Sequence, residues 1–204
     1  MDLFPIFVKL AGRRCLVVGA GTVAAAKIRS LLDAGAEVRV VALAANQEVA
    51  DWAEQGRVKL KVRAFQPSDL DRNLLVVAAT NSRPVNAAIY REAELRGVLC
   101  NAVDDPQNCD FYYPAVVRRG DLQIAISTAG KSPSLAQRLR KELESEFGPE
   151  YSEWLTELGE ARARLFARPM AAEERKRRLH RLASRKAFAA SRRGKKSRER
   201  VHAR

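Results

Sequence analysis

The sequence predicts an α/β protein whose main body is an open, doubly wound parallel sheet. Three observations carry that expectation: short apolar runs of strand length bounded by glycine or charge, helical patterns alternating with them, and a glycine-rich turn joining the first run to the first helix. A chain of 204 residues with 47% apolar content can bury one core, and about 100–150 residues suffice for that, which leaves room for a smaller second unit.

The elements follow in order. Arg14–Gly19 holds Cys-Leu-Val-Val, a run suited to a strand buried on both faces. From Thr22, the positions Val23, Ala26, Lys27, Ser30, Leu31 and Ala34 have helical spacing, and Gly35 closes the segment. Glu37–Leu43 is a second strand and Gln47–Gly56 a second helix. Val58–Val62 alternates apolar residues with lysine, as an edge strand does. Leu74–Thr80 is again apolar, Ser82 with Pro84 opens a helix that stops at Gly97, and Val98–Val103 is the fifth strand. Right-handed crossovers then bring the loops at the strand carboxyl ends to one edge, where ligands bind. After Asp104 the pattern changes. Tyr113–Arg118 and Leu122–Thr128 flank a hairpin signal, Ser132-Pro133 starts a helix ended by Gly148-Pro149, and two helical stretches follow, at about Tyr151–Phe166 and Ala171–Ala190. The expected divisions are 1–112, 113–148, 149–190 and a disordered basic tail, 191–204.

Charge is distributed unevenly. Residues 1–167 balance to +1, whereas 168–204 hold 15 Lys and Arg against 3 Asp and Glu. The basicity belongs to the tail, so the folded body needs no polyanionic partner, and no specific nucleic acid is expected. No apolar run has bilayer length and the first residues lack a signal-peptide pattern, so no membrane association and a cytoplasmic location are expected. Cys15, Cys100 and Cys109, without CxxC spacing, read as free thiols.

Gly19-Ala20-Gly21-Thr22-Val23-Ala24 is a G-x-G-x-x-A turn between a buried strand and an amphipathic helix. The first glycine permits the turn, the second admits a pyrophosphate, and the small alanine lets helix and sheet pack closely, so a dinucleotide is the expected ligand. The carboxylate that would bind the adenosine ribose is missing: the second strand ends Val41-Ala42-Leu43-Ala44, leaving backbone groups or Asn46 for that task and NAD over NADP undecided. Asp104 should leave the fifth strand at the ligand edge, with Asp105 as its decoy. Ser127-Thr128-Ala129-Gly130-Lys131-Ser132-Pro133 is a hydroxyl-rich turn leading into a helix amino end, suited to carboxylates. Arg118, Arg119, Lys131, Arg138 and Arg140 are further candidates for anionic groups of a substrate.

Pro5-Ile6-Phe7, Val18 through Ala24 with Lys27, Ala79-Thr80, Asn101 through Asp104 and Ser127 through Pro133 together resemble the dehydrogenase module of siroheme synthases, a family of precorrin-2 dehydrogenases of which some are also sirohydrochlorin ferrochelatases. The similarity covers about residues 1–166. It implies a Rossmann-type NAD-binding domain, a strand-and-helix section that pairs two copies into a homodimer, and a small helical domain. It also implies NAD-dependent oxidation of precorrin-2 to sirohydrochlorin, with ferrous iron insertion as a further activity of some members. By carry-over, Thr22, Val23, Leu43 and Ala44 fall where the family contacts NAD and Asp104 on its catalytic aspartate; Gly19, Gly21 and Thr80 complete the expected cofactor residues, Asn101, Thr128, Lys131 and Ser132 are expected at the tetrapyrrole, and Thr128 stands where some members have serine. No metal ligand set is expected, since His180 and His202 lie in the helical tail. A non-catalytic NAD-sensing module is the competing class.

Overall fold

The computed structural model describes residues 3–192, which fall into two compact units divided between Tyr113 and Pro114. The expected disordered tail lies outside the described residues from 193 onward. Ser191 and Arg192, counted with it, are helical: the Ser191 hydroxyl meets Glu157, and Arg192 pairs with Glu150 at 2.6 Å.

In the first unit the chain runs β1 (Arg14–Val18), α1 (Thr22–Asp33), β2 (Glu37–Ala42), α2 (Gln47–Glu54), β3 (Val58–Val62), β4 (Leu75–Ala78), α3 (Arg83–Leu95) and β5 (Leu99–Ala102), the predicted order with ends shortened by a residue or two. All five strands are parallel, in the order β3-β2-β1-β4-β5. The chain therefore leaves β1 in one direction for β2 and β3, then returns to β1's other side for β4 and β5. That reversal opens a crevice at the carboxyl ends of β1 and β4.

Alternation along β1 explains the two-sided core. Cys15 and Val17 join Ala24, Ile28 and Leu31 of α1 on one face, while Leu16 and Val18 join Ile89 and Ala93 of α3, together with Cys100, on the other. Each fully buried branched side chain contributes about 1.5–3 kcal/mol. The α1 stripe of Ala24, Ala25, Ile28 and Leu31 follows helical spacing, and the helix ends where Gly35, at φ +76°, lets Ala36 donate back to the Leu31 carbonyl at 3.0 Å. In β3, Lys59, Lys61 and Val62 are exposed, as the lysine alternation predicts for an edge.

The second unit starts with an antiparallel hairpin, β6 (Ala115–Arg119) and β7 (Leu122–Ile126), turned by Gly120-Asp121. It continues with α4 (Pro133–Glu146), α5 (Glu150–Phe166) and α6 (Ala172–Leu182), and residues 185–192 are again helical. Ser132 caps α4 through its hydroxyl oxygen, as expected, accepting from the Leu135 N–H. The α4 carboxyl end is closed by Arg119, whose Nε donates to the Phe147 carbonyl at 2.7 Å and whose Nη2 donates to Glu144 at 2.9 Å. Phe147, Tyr151, Trp154 and Phe188 stack with centroids 4.5–5.7 Å apart, tying the last helical residues to α5. Among the described residues no helix is long and apolar enough to cross a membrane.

Replacing Arg119 by Met keeps the stem and removes both carbonyl bonds. It should cost about 2 kcal/mol of stability, read as a lower urea midpoint.

Candidate functional site

The glycine turn sits at the crevice, and its small residues have different reasons. Gly19 lies at φ +109°, and a Cβ there would fall 2.3 Å from the Ala79 carbonyl oxygen. Its N–H donates to the Val41 carbonyl at 2.8 Å. Ala24 is fully buried between helix and sheet. Gly21 differs: its φ of −84° suits any residue, and a Cβ would meet no protein atom within 4 Å. The space that Gly21 keeps clear is thus open to a ligand. The first bond of α1 runs from the Ala25 N–H to the Gly21 carbonyl, and no side chain caps this end. The amides ahead of Ala25 and the positive helix pole therefore remain for an anion. This fits the pyrophosphate of a dinucleotide.

A cleft of about 660 Å³ opens from this turn. Gly19 and Gly21 form its floor, Leu43 and Ala44 its wall beyond β2, and Thr80 its wall beyond β4. Of the expected cofactor residues, Thr22 and Val23 head α1 instead of lining the cleft, with Val23 half-exposed. Asn46 does line it, but its side-chain oxygen accepts from the Val49 N–H at 3.0 Å to cap α2, so that oxygen is already engaged. Two features escaped the sequence reading, one behind the Thr80 wall and one in the lining itself. Buried Asn86 grips Thr80 from α3, accepting from its N–H at 3.2 Å and hydroxyl at 2.7 Å and donating to its carbonyl at 3.1 Å. Its signal was an amide on the apolar face shared with Ile89 and Ala93. Ser82 precedes α3 without a side-chain cap; the Thr80 hydroxyl instead receives its N–H. The second feature is Arg63, held by Asp69.

The Val103 N–H bonds to the Ala78 carbonyl at 2.9 Å, continuing the sheet register, so Asp104 leaves β5 at the same edge as the glycine turn. It is exposed, takes the left-handed conformation at φ +58°, and is not among the residues lining the cleft. Asp105 is separated from it chemically, since its carboxylate accepts from Asn108 at 2.6 Å within the following turn. Lys27 of α1 is the cationic neighbour of Asp104; burial lowers its ammonium pKa and the Asp104 charge opposes that, while Nζ lies 3.7 Å from the Tyr113 ring centre. Asn101, expected to meet substrate, is buried, and its amide donates to the Phe111 carbonyl at 2.7 Å and the Cys109 sulfur at 3.4 Å. It shapes the loop after β5.

In the second unit, Thr128 Oγ1 accepts from the Ser132 N–H at 3.2 Å, and Ala129 and Gly130 both take positive φ. Lys131 projects from this turn, exposed. Several expected anion binders have other partners: Arg119 closes α4, Arg138 pairs with Glu142, and Arg140 with Glu144. Arg118 is exposed. Among the described residues no three His, Cys, Asp or Glu side chains gather as a metal site.

Residues 6–115 match the family model described as putative NAD(P)-binding, and residues 119–146 match the model of the sirohaem biosynthesis protein central region. The siroheme synthase 2 of Yersinia enterocolitica is 47% identical over 145 residues, 71% of this chain and 31% of that protein. The siroheme synthase of Photobacterium profundum is 44% identical over 165 residues, 81% of this chain and 35% of its own length. The chain thus spans about a third of the length of these curated relatives. Among solved structures, SirC, precorrin-2 dehydrogenase, is similar at 28% identity with a TM-score of 0.77, covering 90% of each chain.

Gly21→Val should leave the melting temperature nearly unchanged while weakening NAD binding at least about tenfold by calorimetry. Gly19→Val should instead lower the melting temperature. The Arg63 hydrogen bonds hold the Asp69 carboxyl below the usual carboxylate range. The stability this supplies is complete above the ordinary carboxylate pKa and is lost as pH falls through the lowered value. Asp69→Asn should therefore lower the neutral-pH melting temperature, with the difference from the parent closing as pH falls through the lowered carboxylate value.

Proposed function

The chain belongs to the family of NAD(P)-binding modules of siroheme biosynthesis, and on that premise we propose that it oxidises precorrin-2 to sirohydrochlorin with NAD as electron acceptor. The observation that carries the proposal is the likeness to a precorrin-2 dehydrogenase along 90% of both chains, joined to a cleft whose glycine turn leaves room for a pyrophosphate.

Desaturation removes one hydride and one proton from the macrocycle, and bound NAD supplies the hydride acceptor. In our reading the amides of Thr22 and Val23, with Gly19 and Gly21 beneath, hold the pyrophosphate. Leu43 and Ala44 flank the adenosine side, and Thr80, fixed by Asn86, supports the opposite wall. Asp104 is assigned as the base that takes the proton. Thr128, Lys131 and Ser132 are assigned to carboxylates of the substrate, for which their turn offers hydroxyls and an ammonium. Asn101, the remaining residue expected at the substrate, also keeps the loop bearing Asp104 in shape through its bond to the Phe111 carbonyl.

We extend the proposal to a homodimer built on residues 113–148 and to a cytoplasmic location. Support for the dimer is the two-stranded sheet of β6 and β7, which packs on α4 and α5 but leaves an outer edge of each strand without a strand partner among the described residues, open to pairing with a second copy. Light scattering of the purified protein checks it, with twice the 22.7 kDa chain mass expected.

The direct test is turnover: protein, NAD and precorrin-2 should yield NADH and sirohydrochlorin. No NADH from folded, NAD-bound protein would leave a binding module instead of an enzyme. Adding ferrous iron as a further substrate then tests metal insertion, a siroheme spectrum assigning that step and its absence confining the chain to dehydrogenation. Asp104→Asn should keep NAD affinity within about twofold and lower kcat by about a hundredfold or more.

A further inference from the structure

In folds of this kind the end of the second strand reads the 2′ position of the adenosine ribose. A carboxylate there accepts from the free hydroxyl and repels a phosphate, whereas an arginine attracts the phosphate. Here β2 is followed by Leu43-Ala44-Ala45-Asn46, with no charge among them. Arg63 is the one charged residue among the described residues lining the cleft. Its N–H donates to the Ala42 carbonyl at 2.9 Å, which anchors its main chain beside the end of β2.

The guanidinium is gripped in part. Nη1 donates to Asp69 Oδ2 and to the Ala64 carbonyl, both at 2.8 Å, and Nη2 donates to Asp69 Oδ1 at 2.5 Å. A guanidinium has five donors, so the Nε–H and a second Nη2 hydrogen remain. The Asp69 side chain is 7% exposed and that of Arg63 31%, so the acid lies buried behind the arginine, which keeps the accessible position.

We propose that Arg63 reads the 2′ position and that the cleft accepts the 2′-phosphorylated dinucleotide NADP as well as NAD. The inference rests on reading the cleft as a dinucleotide site. Phosphate oxygens would accept from the two remaining N–H groups in charge-assisted bonds, which Lys could not reproduce with the same planar fork. Asp69 fixes the fork and offsets part of its charge, so a ribose without phosphate meets no unpaired cation.

Full-length protein is titrated calorimetrically with NAD and with NADP, as the parent and as Arg63→Gln and Arg63→Lys. The parent should bind NADP within about tenfold of NAD, and Arg63→Gln should lower NADP affinity relative to NAD by at least about tenfold, with Arg63→Lys between. Retained NAD binding in each variant reports an intact fold. NAD binding with NADP more than about a hundredfold weaker in the parent, or an NADP-to-NAD ratio unchanged by Arg63→Gln, overturns the inference. Failure of the parent to bind NAD overturns the dinucleotide reading itself.

Discussion

Between β1 and β4 the backbone of Gly19 approaches that of Ala79 so closely that a methyl group on the first would collide with the carbonyl of the second. The approach lets the chain turn sharply out of β1 while the Gly19 N–H still reaches β2, so one residue ties three strands together at their carboxyl ends. Everything that makes the crevice depends on it. The tight turn aims the amino end of α1 at that edge, and the Thr80 wall is placed by the bond of Ala79 to Val18 together with the grip of Asn86. A wider turn would separate the helix pole from the cleft it polarises.

Local chemistry made much of this legible from the residues alone. Runs such as Leu75–Ala78 have no polar face, which only a strand covered on both sides explains, and Gly35 marks the end of a helix because few other residues take its conformation cheaply. The glycine turn was readable for the same reason, being a short-range code with a mechanical meaning. Long-range polar pairs were not. Arg119 read as a candidate for the anionic groups of a substrate, and only the folded hairpin reveals that it reaches the end of α4, well along the chain. Arg63 and Asp69 flank a turn whose geometry brings them together, and Asn86 announces itself only through the backbone it holds.

The acid pair after β5 shows how neighbours of identical chemistry diverge. Asp105 is drawn into a 3-10 turn and hydrogen-bonded there, while Asp104 takes the strained left-handed conformation and keeps its carboxylate in the open. The Asp104 charge acts on Lys27 of α1, whereas that of Asp105 is spent within its own turn. Nothing in the two letters distinguishes them; the direction of the backbone does.

The two buried thiols have a practical use. Cys15 and Cys100 lie on opposite faces of one sheet, and burial pushes their pKa values up to about 11 and about 12 respectively. At neutral pH almost no thiolate exists at either, so alkylating reagents can attack only molecules whose packing has opened. The rate of labelling at each cysteine would therefore report the opening of its own helical layer. The chain thus carries two built-in gauges of whether its faces loosen together or one at a time.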